Sequence, residues 1–264
     1  MSLQHIFLDD QVLSQETADQ FELRVSADDL RHLKVLRVRI GEHVAVVDAA
    51  SDYFECEFTQ LDGDLPIVRI CQRLDRKLRP QVLLVQGLAK GDKMDEVIRH
   101  ATELGVSGFL PLKTERSVMK LDPKKAQRKL ERWRSIARSA AQQSGQPQVP
   151  KVFEPMITKQ AVEMLRSCTC VAVCWEEAPT SLGMGDALRA ARERCGCAVA
   201  SDARVAIVVG PEGGLSESEV SQFMDGCENG QLVSLGPSIL RTETAGIVAP
   251  ALALYELGAM GQTS

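Results

Sequence analysis

The stretch GPSILRTETAGIVAPALALYELG, residues 236–258, sets Arg241, Thr242, Glu243 and Thr244 directly before an apolar run with no further charge until Glu256. Ile247, Val248, Ala251, Leu252, Leu254 and Tyr255 recur at helical spacings, so its second half reads as a buried helix. The start of a helix offers unpaired backbone amides and favours negative charge, so polar residues there suit a ligand as well as a cap. Just upstream, the strand-like run QLVSLG (231–236) feeds into this stretch, and RVAIVVG (204–210) feeds into GPEGGLSESEV (210–220). Glycines beside a proline let backbone amides come close to a bound group. Ser216 and Glu219 have the spacing of a capping box that opens the next helix.

Outward from these two loops the chain alternates. QVLLVQGL (81–88), GFLPL (108–112) and CVAVCW (170–175) read as further buried strands. Helical periodicity covers 92–104, 123–143, 158–166, 186–194 and 216–224. In the first of these helices Met94, Val97, Ile98, Ala101 and Leu104 share one face, and in the second Leu130, Trp133, Ala137 and Ala140 do. Such alternation predicts an α/β fold with a mainly parallel sheet covered by helices. In an open α/β sheet ligands lie beyond the carboxyl ends of the strands, which is where the two polar loops fall. Residues 1–73 differ: short strand-like runs surround one helix that Ser26 can cap, with Asp29 three residues on. The expected organisation is a small, mostly antiparallel β domain over 1–73, the connector LDRKLRP, and a larger α/β domain over 74–264.

Composition narrows the function classes. The chain has 264 residues, 44% hydrophobic and 25% charged, which suits a globular protein with a substantial core. No apolar run approaches the roughly 18 residues of a membrane span. MSLQHIFLDD shows no basic region followed by an apolar stretch, so a cytoplasmic protein without a membrane partner is expected. The eight cysteines, several in strand-like runs, are expected to be buried thiols acting as small hydrophobes. The pairs Cys168/Cys170 and Cys195/Cys197 have no histidine near them in sequence, and no metal is expected.

The formal charge is -5, but it is unevenly spread. Residues 1–30 hold seven acids against Arg24, whereas Lys113 to Arg138 holds ten bases and three acids. A smaller basic group, Arg69, Arg73, Arg76, Lys77 and Arg79, precedes Pro80. That asymmetry fits a polyanion-binding face, or a solvated helix surface. The loops lack the G-x-G-x-x-G of dinucleotide folds, the G-K-S/T of phosphate loops and the G-x-S-x-G of hydrolases. His5, His32, His43 and His100 form no triad signature.

GPEGGLSESE followed by LGPSILRTETA resembles the SPOUT methyltransferases, and within them the bacterial 16S ribosomal RNA uridine-N3 methyltransferase family. KGDKMDEVIRHATELGVSGFLPLKTERSV, KLERWRSIARSAAQQSGQPQVP and the early HLKVLRVRIGEHVAVVDA are similar to that family's other blocks. The resemblance implies a C-terminal trefoil-knot domain, its cofactor site in about 205–258, behind a small N-terminal PUA-like β-barrel. It implies a homodimer that uses S-adenosyl-L-methionine to methylate N3 of one uridine in the small ribosomal subunit. Two departures stand out: Ser238 where the family carries arginine, and no early arginine in MSLQHIF.

The resemblance selects Trp175, Glu176, Gly210, Glu212, Gly213, Gly214, Leu235, Gly236, Ile239, Leu240 and Thr242 for the cofactor. Methyl transfer from a sulfonium asks for an aligned attack and a nucleophile in the right protonation state. Arg241 could stabilise charge on uracil oxygens, and Glu243 or Glu212 could accept the N3 proton. Alternatively, an Arg241 pair with either acid simply joins two loops. RNA contact is expected from Arg31, Lys34, Arg37, Arg116, Lys120, Arg132 and Arg134 through phosphates. With only 4% aromatic residues, base stacking is a poor platform here. Two readings compete: a methyltransferase of the same fold acting on transfer RNA or ribose 2′-oxygen, and a non-catalytic ribosome-assembly factor.

Overall fold

A computed structural model describes residues 3–75, 78–119, 122–178 and 181–260. Two compact units are distinguished: residues 1–77 with 139–149, and residues 78–138 with 150–264. Arg76, Lys77 and Lys120, three of the expected bases, lie outside the described residues.

In the first unit, β1 (Gln4–Phe7), β2 (Phe21–Glu22), α1 (Ala27–Leu36), β3 (His43–Val47), β4 (Tyr53–Gln60) and β5 (Ile67–Arg73) follow in chain order. The strands form a five-stranded sheet in the order β1-β3-β4-β5-β2. It is mixed, because β1 pairs parallel to β3 while the other pairs are antiparallel. Strand β4 shows the strict alternation of a half-buried strand: Phe54, Cys56 and Phe58 point into a core with Val44, Val46 and Val68. Ser26 caps α1 by accepting the Asp29 amide, as its sequence suggests.

The second unit carries β6 (Gln81–Gly87), α2 (Lys93–Leu104), β7 (Gly108–Lys113), α3 (Pro123–Ser144), β8 (Lys151–Val152), β9 (Met156–Ile157), α4 (Thr158–Leu165) and β10 (Cys170–Cys174). It continues through β11 (Leu182–Gly183), α5 (Met184–Cys195), β12 (Arg204–Val209), α6 (Glu217–Gly226), β13 (Gly230–Ser234) and α7 (Thr242–Glu256). The end of α3, from Ser139 on, belongs to the first unit. The sheet is parallel throughout, in the order β11-β13-β10-β12-β6-β7-β8, with β9 also on β7. Its central strands read as continuous apolar runs because helices cover both faces. Val85, Leu110, Val173 and Val208 meet Val220 and Phe223 of α6 on one side.

Two expectations need correction. The helix does form, but it begins within the quartet at Thr242, and its buried face is Thr242, Ala245, Gly246, Ala249, Pro250, Ala253 and Leu254. Leu252 is 37% and Tyr255 68% exposed. Small residues sit inward because the neighbouring chain is too close for larger ones: a Cβ on Gly246 would stand 2.4 Å from Gln86 Oε1. The cysteines also divide: Cys56, Cys170 and Cys227 are buried, whereas Cys71 and Cys195 are exposed. No helix among the described residues is long and apolar enough to cross a membrane.

The capping box at Ser216 reaches beyond its own helix. Glu219, buried at 2% exposure, accepts from the Ser216 amide at 3.0 Å, the Glu115 amide at 3.0 Å and the Thr158 hydroxyl at 3.1 Å. Removing that carboxylate strands three donors in the interior. Glu219→Ala is expected to lower stability by about 2–4 kcal/mol, and Glu219→Gln by less because its carbonyl keeps some partners. Urea unfolding followed by tryptophan fluorescence reads this directly, since both tryptophans, Trp133 and Trp175, lie in the second unit.

Candidate active site at the carboxyl edge of the parallel sheet

Strands β6, β10, β12 and β13 run parallel, so their carboxyl ends share one edge of the sheet. The loops that leave three of them, through residues 175–178 and Ser181, 210–214 and 235–241, surround a cavity of about 540 Å³. That volume falls within the roughly 300–1,000 Å³ of small-molecule sites. Val209, Val233, Leu235, Ile239, Leu240 and Ala245 supply apolar wall, and Gly210, Glu212, Gly214 and Gly236 supply backbone. Every residue expected at the cofactor lines this cavity except Gly213. A Cβ on Gly213 would meet the Arg116 side chain at 3.1 Å, and Arg116 Nη1 donates to the Gly213 carbonyl at 3.2 Å.

Close approach explains the glycines. Gly214 has φ +70° and Gly236 φ +117°, conformations that side chains resist. At Gly87, where β6 ends, a Cβ would stand 2.4 Å from the Pro211 nitrogen, so the GPEGG loop lies directly on the strand end. Thr242, expected to touch the cofactor, is buried, and its hydroxyl donates to the Gly210 carbonyl at 2.6 Å. Gln86 Nε2 in turn donates to Thr242 Oγ1 at 2.8 Å. This buried chain ties the β6 end, the GPEGG loop and the start of α7 into one body.

The expected acids Glu212 and Glu243 are brought together, but by a residue that sequence reading missed. Lys93 Nζ, at the start of α2, stands 3.1 Å from Glu212 Oε1 and 3.0 Å from Glu243 Oε2. Bonds to Glu243 and then Glu212 raise the Lys93 pKa above the ordinary lysine value. Partial burial pushes Glu212 upward, yet its own amide, the Lys90 amide and Lys93 together hold it below the usual glutamate range. Glu243 is also held low, first by its own amide at the helix start, then by Lys93 and Arg241 against some burial. Arg241 is exposed on the cavity rim, where Ser238 also lies. The signal for Lys93 was present as the polar cluster KGDKMD directly after strand β6.

The expected RNA-contacting bases are placed as follows. Arg31 and Lys34 are exposed on α1, and Arg37 ends it in a left-handed conformation, φ 55°. Arg31 pairs with Asp28. Arg116 holds the GPEGG loop as above. Arg132 is an ion-pair partner of buried Asp95, Nε to Oδ2 2.6 Å, and the Trp133 indole donates to Oδ1 of the same carboxylate at 3.1 Å. Arg134 donates weakly to the Val152 carbonyl at 3.4 Å. Arg116, Arg132 and Arg134 therefore have structural roles besides any surface one.

The sign of the Lys93 cluster's pH dependence follows from these shifts. Lowered carboxyl pKa values contribute stability that is complete above the ordinary glutamate range and is lost as pH falls through the folded values. The raised lysine contributes below its ordinary value and loses that contribution only in strong alkali. Wild type is therefore expected to melt above Lys93→Met near neutral pH, with the gap closing as pH drops below the glutamate range, in thermal melts across pH.

Comparison with known proteins agrees with this geometry. Residues 76–254 match the family model described as an RNA methyltransferase domain. The ribosomal RNA small subunit methyltransferase E of Bacillus subtilis is 33% identical over 88% of this chain and 89% of its own. The crystal structure of the Neisseria gonorrhoeae protein of that name, bound to S-adenosyl methionine, superposes with TM-score 0.77 at 26% identity over 96% of this chain and 97% of that one. A Legionella pneumophila methyltransferase with bound SAM gives TM-score 0.77, also at 26% identity, over 97% and 98% of the two chains. The chain belongs to the RNA methyltransferase family that these proteins represent.

Proposed function

We propose that this protein is an S-adenosyl-L-methionine-dependent methyltransferase that methylates N3 of a specific uridine in 16S ribosomal RNA of the small subunit. The observation that carries the reading is the convergence of residues 175–178, 210–214 and 235–241 on one glycine-lined cavity. The whole-length likeness to a small-subunit ribosomal RNA methyltransferase supports the choice of RNA. The cavity suits the cofactor on its own terms. Apolar wall from Leu235, Ile239 and Leu240 can face an adenine, and Gly210, Gly214 and Gly236 leave backbone amides open to approach. The Trp175 indole nitrogen, on the same lining, is buried without a hydrogen-bond partner in the protein.

When bound, the cofactor supplies an electrophilic methyl group on a sulfonium. The chain must align uracil N3 with that methyl and support loss of the N3 proton. In this reading Arg241, which lines the cavity and is exposed, stabilises negative charge on the uracil oxygens. Glu212 and Glu243, acidified and bound to Lys93, are weak bases in this arrangement. Stabilisation of the anion by Arg241 therefore takes the larger share, and a carboxylate accepts the proton only after parting from Lys93.

In the same reading 1–73 is a PUA-like RNA-binding barrel and 74–264 the SPOUT domain. Arg31, Lys34, Arg37, Arg116, Lys120, Arg132 and Arg134 supply phosphate contacts. The C-terminal segment is knotted. In support, α7 follows β13 in the chain but packs against α2, β6 and β12, so the chain comes back past β10 after the last strand. Partly exposed Leu252 and Tyr255 on α7 favour a homodimer, and a cytoplasmic site of action follows from the ribosomal substrate.

Incubation with methyl-labelled cofactor and small subunits, naked 16S RNA or transfer RNA separates the readings. Label in small-subunit RNA, mapped to uridine N3 after digestion, is expected. Label only in transfer RNA or on ribose overturns the substrate assignment, and RNA binding with no label anywhere favours an assembly factor. Arg241→Ala is expected to reduce kcat about 100-fold or more while changing the cofactor Kd only a few-fold. An unchanged rate removes Arg241 from the chemistry.

A further inference from the structure

The outward face of the first unit's sheet carries a group of side chains that methyl transfer does not use. His43 on β3 stands directly across from Glu57 on β4. On β5, Cys56 of the neighbouring strand pairs with Ile70 and Glu55 pairs with Gln72, so Cys71 is the extra residue of a bulge. A bulge re-aims a side chain, and this one turns a thiol toward the same place. A ring nitrogen of His43, a carboxylate oxygen of Glu57 and Cys71 Sγ all lie within 4.8 Å of one another.

Two of these three groups are also steadied by a neighbour. His43 Nδ1 is 2.5 Å from Glu55 Oε1, and Gln72 Nε2 holds the other Glu55 oxygen at 2.6 Å. A carboxylate on Nδ1 fixes the tautomer that leaves the Nε2 lone pair free, which is how metal-binding histidines are held. Arg69 Nη2 donates to Glu57 Oε2 at 2.6 Å and leaves the second oxygen available. Burial first, and then Glu57 and Glu55, hold the Cys71 thiol above its ordinary pKa.

We propose that His43, Glu57 and Cys71 bind one zinc-class divalent cation, with water in the fourth position, tying β3, β4 and β5 together. One nitrogen, one oxygen and one sulfur donor suit zinc, whereas calcium and magnesium require oxygen. Tetrahedral zinc needs its ligands about 3.3–3.8 Å apart, a closure within reach of exposed rotamers. The incoming cation displaces the thiol proton to solvent, so binding weakens as pH falls.

The test uses the full chain, stripped with chelator and titrated with cobalt(II), then with zinc against a chromophoric chelator. One equivalent of cobalt is expected, with a thiolate-to-cobalt charge-transfer band that zinc abolishes. Cys71→Ser should remove the band, and His43→Ala should weaken zinc at least about 100-fold. Glu55→Gln, which replaces no ligand but alters the group holding the His43 ring, should weaken it about 10-fold to 100-fold. Circular dichroism verifies that each variant keeps its sheet. No band in the wild type overturns the proposal. A band that survives Cys71→Ser also overturns it, since the thiolate then lies elsewhere, as at Cys195 or Cys197. None of these readings depends on methyl transfer.

Discussion

The site depends on one buried hydrogen-bonded chain, from Gln86 Nε2 to the Thr242 hydroxyl and from that hydroxyl to the Gly210 carbonyl. It joins three segments that are far apart in sequence, and each link lies where water cannot substitute. Without it the GPEGG loop and the Arg-Thr-Glu-Thr segment would be two surface loops with no fixed relation. With it, the cavity wall from β12 and the start of α7 move as one piece. The absence of side chains at Gly87 and Gly246 is the steric condition for this chain, because a Cβ at either would collide with Pro211 or Gln86.

Given that frame, the electrostatics of the rim are set by Lys93. Two carboxylates that would repel across the mouth of the cavity instead share one ammonium. Such a bridge favours the ionised form of both acids, while Arg241 stays exposed on the rim. A base must have a proton affinity near the working pH, and the pairing moves Glu212 and Glu243 away from it. Lys93, which the sequence reading did not single out, thus joins the two acids that it did.

Much of the fold was legible because the signals were local. Continuous apolar runs gave the parallel strands, and the Ser216–Glu219 and Ser26–Asp29 spacings gave two helix starts that the structure reproduces. The residues that line the cavity were selected by the family resemblance, and glycine-rich loops at strand ends are compatible with that choice. What failed was non-local. The inward face of α7 is mostly small residues, with Leu254 the one large apolar side chain fully buried there, since the closeness of Gln86 and Val97 to Gly246 limits what that side can hold. Lys93 was missed for the same reason: its partners stand more than a hundred residues away, and no periodicity links them.

Thr242 shows where motif and physics part. A polar residue at the mouth of a helix reads as a ligand contact, and Thr242 does line the cavity. Yet its hydroxyl is occupied on both sides by the protein, which leaves only its methyl and backbone amide to face a bound molecule. A serine there would keep both hydrogen bonds and lose the methyl, whereas a valine would keep the shape and orphan the Gly210 carbonyl. The second change is the more damaging, because a buried acceptor without a donor costs more than a missing methyl contact. Within this motif, holding the two loops together is the prior requirement, and contact with a ligand is built on top of it.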